Sequence, residues 1–296
     1  MPVIPPIRPV WLGGVQRRFG EMVRARVAGD DAAERADDIW GKPGERWFTP
    51  DDPIWALHAD ASMFVGGLTA LLLQALHPLA MAGVAGHSGY RSDPWGRLQR
   101  TSHYIAVTTY GTIADAEATI ARVRSVHDRV RGKDETGRSY RASDAHLLAW
   151  VHAAEIWSFL TAHRAFGERP LGGDDADRYV AQTAVPARLL GVEEPPTTVA
   201  ELEEVLERFR PELEVSAGAL DVVDFLLEEP PLSGVPRLSF GMLSAGAVAI
   251  LPDWARGMLG LTVGRAAMAR ARFAVAAVRW GLAGVEDARR SNPPSG

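Results

Sequence analysis

Apolar residues recur at every third or fourth position along most of this chain, and that spacing predicts amphipathic α-helices. Helix-start signals accompany it, since Thr112 with Asp115 and Thr198 with Glu201 have the pattern of N-caps. The predicted helices span residues 11–27, 95–110, 112–131, 143–166, 175–190, 198–208, 211–227 and 264–282. No stretch alternates cleanly enough between apolar and polar residues to predict a sheet. We therefore expect an all-α fold, a single multi-helix domain of about ten to twelve helices.

The segment 61–90 has no charged residue and is long enough in principle to span a bilayer. Several glycines and the pair His77–Pro78 interrupt it, and its first half holds only about ten strongly apolar residues, fewer than a span needs. A buried helix broken at Pro78 is the preferred interpretation, so no transmembrane span is expected. The later segment 240–263, rich in Ala, Leu and Met, is expected to pack in the core, and shallow contact with a membrane surface is the alternative.

Composition and the positions of helix-breaking residues divide the chain into three parts. Residues 1–50 carry an N-terminal helix and a charged lead-in, residues 51–284 form the helical domain, and residues 285–296 are expected to be a disordered tail. The Pro-rich N-terminus lacks the basic-then-apolar layout of a signal peptide, so a cytoplasmic location is the expectation.

Charge and cysteine content exclude several function classes. The chain has 296 residues and a net charge of −5, and no basic stripe suggests a nucleic-acid partner. It has no cysteine, which excludes disulfides, thiol nucleophiles, iron–sulfur clusters and thiolate-ligated haem. Any metal must therefore be held by His, carboxylate or Tyr side chains.

Several familiar catalytic motifs are also missing. We find no Gly-rich dinucleotide or Walker loop, no Gly-x-Ser-x-Gly elbow, and neither the paired Glu-x-x-His of di-iron bundles nor His-Glu-x-x-His. What remains is a set of histidines, four of which lie in apolar helical settings: His77, His87, His127 and His152.

One face of the helix predicted over 95–110 carries an unusual polar set. Arg97, Arg100, Thr101 and Tyr104 follow the spacing i, i+3, i+4, i+7 and so share that face. Two guanidinium groups are costly to bury unless an anion accompanies them. Haem propionates would suit this face, and so would structural aspartates. From spacing alone, an ion pair with structural aspartates is the favoured interpretation.

His127 lies within an apolar stripe, and such a histidine is more often a satisfied core residue than a metal ligand. Asp128 and Arg131 flank it and could supply hydrogen-bond partners. His77 precedes a proline, where freed backbone groups can bond to it, and His152 could bond an arginine across the core. From the residues alone, the ligand and core interpretations stay open for each.

Taken together, three stretches resemble a known family. They are Leu73–Pro78 continuing to Gly86-His87-Ser88, then the run Arg91–Thr101, then Val126–Gly132; Tyr140–Ala142 and Leu147–Ala153 continue the pattern. The chain resembles the oxygenase MpaB family, which includes the rubber oxygenase, over about residues 52–282. The resemblance implies an all-helical, distantly globin-like fold that holds haem b.

The resemblance also implies roles for particular residues. His127 corresponds by order to the axial iron ligand, and Arg97 and Thr101 match an Arg-x-x-Lys-Thr run near the haem; Arg131 and His152 complete the expected cofactor-binding set. Arg100 stands where the rubber oxygenase has a lysine, and an arginine does not deprotonate to become a neutral ligand. The catalytic glutamate of the rubber oxygenase has no matching position between Asp60 and Asp93, so His77 or His87 is the expected substitute. The expected catalytic set is thus Arg97, Arg100, Thr101, His77 and His87.

The function expected is that of a haem b-dependent oxygenase or oxidase that combines dioxygen with an apolar, isoprenoid-like or other alkene, small molecule. Apolar walls at 71–81 and 240–261 would exclude water and accept such a substrate. A non-catalytic haem- or lipid-binding protein and a metal-free structural α domain are the alternatives. The sequence leaves the substrate and the oligomeric state open.

Overall fold

A computed structural model describes residues 10–29 and 31–291 of the chain. The described residues form α1 Val10–Ala28, α2 Ala32–Ala36, α3 Pro53–Ala59, α4 Met63–Gln74, α5 Pro78–His87, α6 Pro94–Tyr110, α7 Ile113–His127, α8 Ala145–Phe166, α9 Asp175–Leu190, α10 Val199–Phe209, α11 Ala217–Val223, α12 Gly234–Ile250, α13 Asp253–Met258 and α14 Ala267–Ser291. Single turns of π-helix lie at Asp37–Gly41 and Asp224–Glu228, and a 3₁₀ turn lies at Arg210–Glu212. The all-α prediction is confirmed, and the break before Pro78 separates α4 from α5.

The structure differs from the sequence-based expectation in three places. The helix predicted over 211–227 is instead a 3₁₀ turn at Arg210–Glu212, then α11 and the π-helical turn at Asp224–Glu228. The helix predicted to run to residue 131 ends at His127, and a short antiparallel hairpin follows, with β1 Arg131–Lys133 paired to β2 Ser139–Arg141. Gly137 has φ +88° in the connecting turn, a left-handed conformation that glycine adopts without steric cost. At the other end, α14 continues through residues 285–291 of the expected tail, and residues 292–296 lie outside the described residues.

Side-chain caps start several of these helices where the sequence predicted starts. The Asp93 carboxylate accepts a hydrogen bond from the Gly96 amide, and Thr112 and Thr198 accept from the amides of Asp115 and Glu201. Each cap satisfies one of the amides that a helix N-terminus leaves without a partner. Asp93 in particular fixes the start of α6, the helix that carries Arg97.

The core is built around α8, which packs against α4, α9 and α10. Trp150 of α8 is fully buried and donates its indole N–H to the Gln74 carbonyl at 3.3 Å. Gly66 of α4 lets the two helices approach closely, because a Cβ there would lie 3.0 Å from the Phe159 ring. This packing holds the middle of α8 inside the molecule.

The two ends of the described chain meet in a second packing region. Helix α14 packs against α1 and α12, and α1 also contacts α6. At the α1–α14 crossing a Cβ on Gly20 would lie only 2.1 Å from the Gly281 carbonyl oxygen. The absence of side chains at Gly20 and Gly281 therefore sets the distance between the helices.

No single helix among the described residues is both long and apolar enough to cross a membrane. Helices α3 and α4 together meet the length and composition required, but they are bent by 91°. Within the segment 240–263, Leu243, Ala247, Val248, Leu251, Ala255 and Leu259 are buried, as expected for core packing.

Candidate functional site

Arg97 lies near the start of α6 and is partly enclosed by protein. Its guanidinium donates one hydrogen bond, to the Ser88 hydroxyl at 3.2 Å, just beyond the end of α5. No acidic group of the described residues lies within ion-pair distance of it. Burial lowers the pKa of Arg97, and the charge on Arg100 lowers it further. An enclosed cation without a counter-charge is a binding feature for an anionic group.

The other members of the predicted face behave differently. Arg100 is exposed and forms an ion pair with Asp93 at 3.2 Å, and Thr101 is exposed as well. Tyr104, one turn farther, is partly enclosed, and burial raises its pKa. On this face Arg97 and Tyr104 are therefore partly enclosed, whereas Arg100 and Thr101 between them are exposed to solvent.

His127 is the last residue of α7. Only Gly111 and Thr112 separate α6 from α7, and the two helices pack as an antiparallel hairpin. The start of α6, with Arg97, and the end of α7, with His127, are the ends of the two helices farthest from this connection. The Nδ1 atom of His127 is buried and has no hydrogen-bond partner, and burial lowers the pKa of the ring.

A cavity of about 290 Å³ adjoins His127. It is lined by Arg124, His127, Asp128, Ser143, Ala145, Leu190, Gly191 and Glu193. Arg131, which was expected to assist His127, lies exposed in β1. His127 thus has open space beside it and no described side chain that fixes its tautomer.

His152 and Glu155 lie one turn apart on α8, so their side chains share a face. The Nε2 atom of His152 is buried without a hydrogen-bond partner, and burial lowers its pKa to about 4. Burial raises the pKa of Glu155 to about 7. Both side chains retain some accessible surface although protein surrounds them.

Glu155 belongs to a group of polar side chains in the core that we call the inner cluster: His58, Tyr104, Thr109, Glu155 and Tyr179. The ring of His58 is held at both nitrogens, with Nδ1 2.8 Å from the Thr109 hydroxyl and Nε2 3.2 Å from the Tyr179 hydroxyl. Burial lowers the pKa of His58 to about 3. The charge on Glu155 raises the pKa values of Tyr104 and Tyr179, beyond the larger effect of their burial.

Sequence reasoning missed the inner cluster. The sequence analysis considered a catalytic glutamate only between Asp60 and Asp93, whereas the enclosed carboxyl group, that of Glu155, lies in α8. A signal was present, because Glu155 is the only acidic residue between Leu147 and Phe166, a stretch that is otherwise largely apolar. A lone carboxyl in such a stretch is costly to bury and indicates a special environment.

The structure separates the two histidines expected to act as bases. His87 lies at the end of α5, is exposed, and contacts the ring of Tyr140 edge-on at 6.3 Å. His77 lies at the start of α5, is buried, and faces His146 and Glu212. Helix α5 has 10 residues, and at ~1.5 Å per residue the two histidines are roughly 15 Å apart along it. They therefore belong to different sites.

Comparison with known proteins decides the family. Residues 55–280 match the model of the catalytic domain described as "ER-bound oxygenase mpaB/B'/Rubber oxygenase". The chain belongs to this family. The comparisons found no significant match among curated proteins or solved structures.

Membership in the MpaB/rubber oxygenase family carries over an oxygenase function, and with it a small-molecule substrate and dioxygen. The match begins within α3 and ends within α14, so it contains α4 to α13 with Arg97, His127, His152 and Glu155. Helix α1 lies outside the match and packs on the last helix of the family domain.

The donor chemistry of the side chains present suits a haem group. Without cysteine, a haem iron would have to be held by His or Tyr, and His127 and His152 each present a buried ring nitrogen without a partner. Since burial lowers their pKa values, the rings are neutral at pH 7, as metal ligation requires. Arg97 adds an unpaired cation for a carboxylate such as a propionate.

Proposed function

We propose that this chain is a haem b-dependent oxygenase that acts on an apolar small molecule, an alkene of isoprenoid type being the expected substrate. Two observations carry the proposal: enclosed Arg97 of α6 has no counter-charge, and His127 at the end of α7 has a buried nitrogen without a partner. An iron-bearing dicarboxylate supplies both missing partners at once, and haem b is such a molecule.

The chain's own residues would divide the work of binding. His127 would hold the iron through a neutral ring nitrogen, and Arg97 would neutralise a propionate while Ser88 orients its guanidinium. Haem supplies oxygen activation when bound. Arg100 cannot take the place of a neutral lysine ligand, and in the structure it is turned to Asp93.

Glu155 is the residue best suited to hold and release a proton near pH 7. A carboxyl whose pKa lies near the working pH is poised for general acid–base catalysis. Tyr104 and Tyr179 lie close enough to Glu155 for its charge to raise their pKa values, and the Tyr179 hydroxyl contacts His58. We therefore assign to Glu155 the role for which the sequence offered only His77 or His87.

Apolar side chains of the core would help to exclude water. Leu71, Ile105, Val151 and Trp157 are partly accessible and pack against the main core cluster. Apolar surface of this kind would suit a lipid-like substrate. Water exclusion also strengthens the electrostatic interactions of Arg97 and Glu155.

The test is haem binding by the whole chain. Expressed with iron and a haem precursor, the protein should show a Soret band and about one haem b per chain in a pyridine haemochrome assay. His127→Ala should remove the haem, and Arg97→Gln should weaken haem affinity by at least about tenfold. His103→Gln and Arg129→Gln, on α6 and just after α7, are matched controls that should bind haem normally. Full haem content in His127→Ala would overturn the assignment of the ligand.

Catalysis is tested separately by oxygen consumption. With candidate alkenes the haem-loaded chain should consume dioxygen, and Glu155→Gln should lower the turnover rate by about 10²–10⁴-fold, as expected for a lost acid–base group. A protein that binds haem but consumes no oxygen with any alkene would instead be a haem-binding protein. A chain that stays colourless during haem titration would contradict the proposal.

A further inference from the structure

His77, His146 and Glu212 lie together at a place the oxygenase proposal does not use. They come from three separate elements: the residue before α5, the first turn of α8 and the 3₁₀ turn after α10. One ligand atom from each lies within 4.8 Å of the other two. The Nε2 atom of His146 is 2.8 Å from a Glu212 carboxylate oxygen, and the Nε2 atom of His77 is 3.7 Å from the same oxygen.

His77 has no adequate partner in this arrangement. Its side chain is only 3% exposed, and neither ring nitrogen makes a hydrogen bond within the described residues. The 3.7 Å separation from Glu212 is too long for a hydrogen bond. A buried polar nitrogen without a partner is costly, and in native proteins it points to a missing water, ion or functional role.

The surrounding packing fixes the three side chains in place. The ring of Phe209 lies against His146 at 4.5 Å between centroids and against His77 at 6.0 Å. The Glu214 amide donates to the Leu76 carbonyl at 2.9 Å, which ties the segment after Glu212 to the residue before His77. The ligand geometry is therefore held by packing and a backbone hydrogen bond, as in a preorganised site.

We propose that His77, His146 and Glu212 form a binding site for a divalent transition-metal ion of the zinc type. Two imidazoles and one carboxylate are a common donor set for Zn²⁺, and ligand atoms ~2.0–2.1 Å from a tetrahedral ion lie roughly 3.4 Å apart. The two distances to Glu212, 2.8 and 3.7 Å, bracket that spacing, and the ligand nitrogens of His77 and His146 lie within 4.8 Å of each other. His146 and Glu212 are 52% and 43% exposed, which leaves the fourth position open to water.

None of the three ligands belongs to the proposed haem-binding set, although Ala145, the residue before His146, lines the cavity beside His127. Arg97 contacts Ser88 beyond the far end of α5, whereas His77 precedes the first residue of that helix. The inference therefore does not rest on the proposed function, and either can fail alone. A bound ion would join the starts of α5 and α8 to the end of α10.

The experiment is a Zn²⁺ titration of the full, tag-free chain against a chromogenic chelator, with Co²⁺ absorption as the coordination readout in the haem-free protein. We expect one ion per chain, visible Co²⁺ bands typical of four-coordination, and a higher Tm with one equivalent of Zn²⁺. His146→Gln and Glu212→Gln, both at exposed positions that folding tolerates, should weaken binding by at least about tenfold and abolish the Tm increase.

Glu204→Gln, on the exposed face of α10, is the matched control and should bind as the unmodified chain does. Equal Zn²⁺ affinity in all four proteins would assign binding to other surface groups and overturn the proposal. Failure of the unmodified chain to take up Zn²⁺ at micromolar concentration would also overturn it, and would leave His146 and Glu212 as an ordinary surface ion pair.

Discussion

Glu155 shows how one buried side chain can govern the response of this protein to pH. Burial holds its pKa near 7 in the folded chain, against 4.5 for the same group in water. Below about pH 4.5 the carboxyl is neutral in both the folded and unfolded states. As the pH rises from 4.5 to 7 the unfolded state ionises first, so the free energy of unfolding falls, and above 7 the loss is constant.

The first prediction concerns Glu155→Gln, which keeps the shape of the side chain and removes the titration. At pH 8 the variant should be more stable than the unmodified chain by about 3 kcal/mol, and near pH 4.5 the two should be equal. Urea unfolding at both pH values measures this. Glu117→Gln, at an exposed position on α7, is the control and should show no such difference.

Residues such as Arg97 and His127 could be selected from the sequence because their signal is local. A helical spacing places Arg97 near Tyr104, and an apolar stripe surrounds His127. The partners that define the other sites are not local: His146 and Glu212 are 66 residues apart, and His58 contacts a tyrosine 121 residues away. Only the tertiary fold brings such pairs together, so no spacing rule finds them.

At the scale of elements, helices with strong capping signals were predictable and irregular turns were not. Helix α6 contains Tyr, Val and Thr, which favour strands, yet Asp93 and Pro94 fix a helix start and the polar spacing sustains it. The position of α7 was less predictable. The amide of Ile113, its first residue, donates a hydrogen bond to the Glu45 carbonyl in the N-terminal lead-in, a contact between distant parts of the sequence. The hairpin after α7 was missed because its strands have only three residues each.

The α1–α14 crossing gives a prediction about element packing. In Gly20→Ala the new methyl group would meet the Gly281 carbonyl oxygen, and neither helix backbone can move aside locally. We expect a loss of about 1–3 kcal/mol of unfolding free energy, the usual cost of overpacking. Gly241→Ala, inside α12 with open space around it, should instead gain about 0.5–1 kcal/mol through helix propensity. Urea unfolding of both variants measures the contrast.

A second prediction at this scale concerns how α14 is attached to the domain. Asp60, between α3 and α4, forms a two-oxygen contact with Arg279 of α14 at 3.0 Å and accepts the Ser62 and Glu168 amides. Its side chain is 8% exposed, and these contacts hold its pKa below the ordinary value despite burial. Asp60→Asn should lower the free energy of unfolding by about 3–5 kcal/mol, since it leaves the Arg279 charge without its partner.

The surface pair of Asp253 and Arg256 provides the control for that experiment. Asp253 is 93% exposed, so Asp253→Asn should leave the thermal midpoint unchanged. Equal effects of Asp60→Asn and Asp253→Asn would show that the contact between Asp60 and Arg279 does not secure α14.

At the scale of the whole molecule, the buried titratable groups act in opposite directions. His58 and His152 have pKa values of about 3 and about 4 in the fold, against 6.5 in water. As the pH falls below 6.5 the unfolded chain gains these protons first, so stability is lost. Over the same range Glu155 gains its proton first in the folded chain and opposes that loss.

The resulting prediction is a fall in stability from pH 6 to pH 5 whose steepness depends on Glu155. One net proton corresponds to about 1.4 kcal/mol per pH unit, and with two histidines opposed by one glutamate the unmodified chain should lose at least about that amount. Glu155→Gln should lose roughly twice as much, because the opposing group is gone. Identical slopes in the two proteins would show that Glu155 does not titrate in this range.

The order in which the chain is made has a consequence for the pairing of α1 with α14. Helix α1 is synthesised long before α14, its principal partner, and a hydrogen bond between Gln16 and Trp280 joins residues 264 positions apart. During synthesis the face of α1 that packs on α14 must therefore remain without this partner until α14 emerges. This interval is when the chain is most open to aggregation and proteolysis, so efficient chaperone capture of the N-terminal helix should govern how much protein a cell recovers.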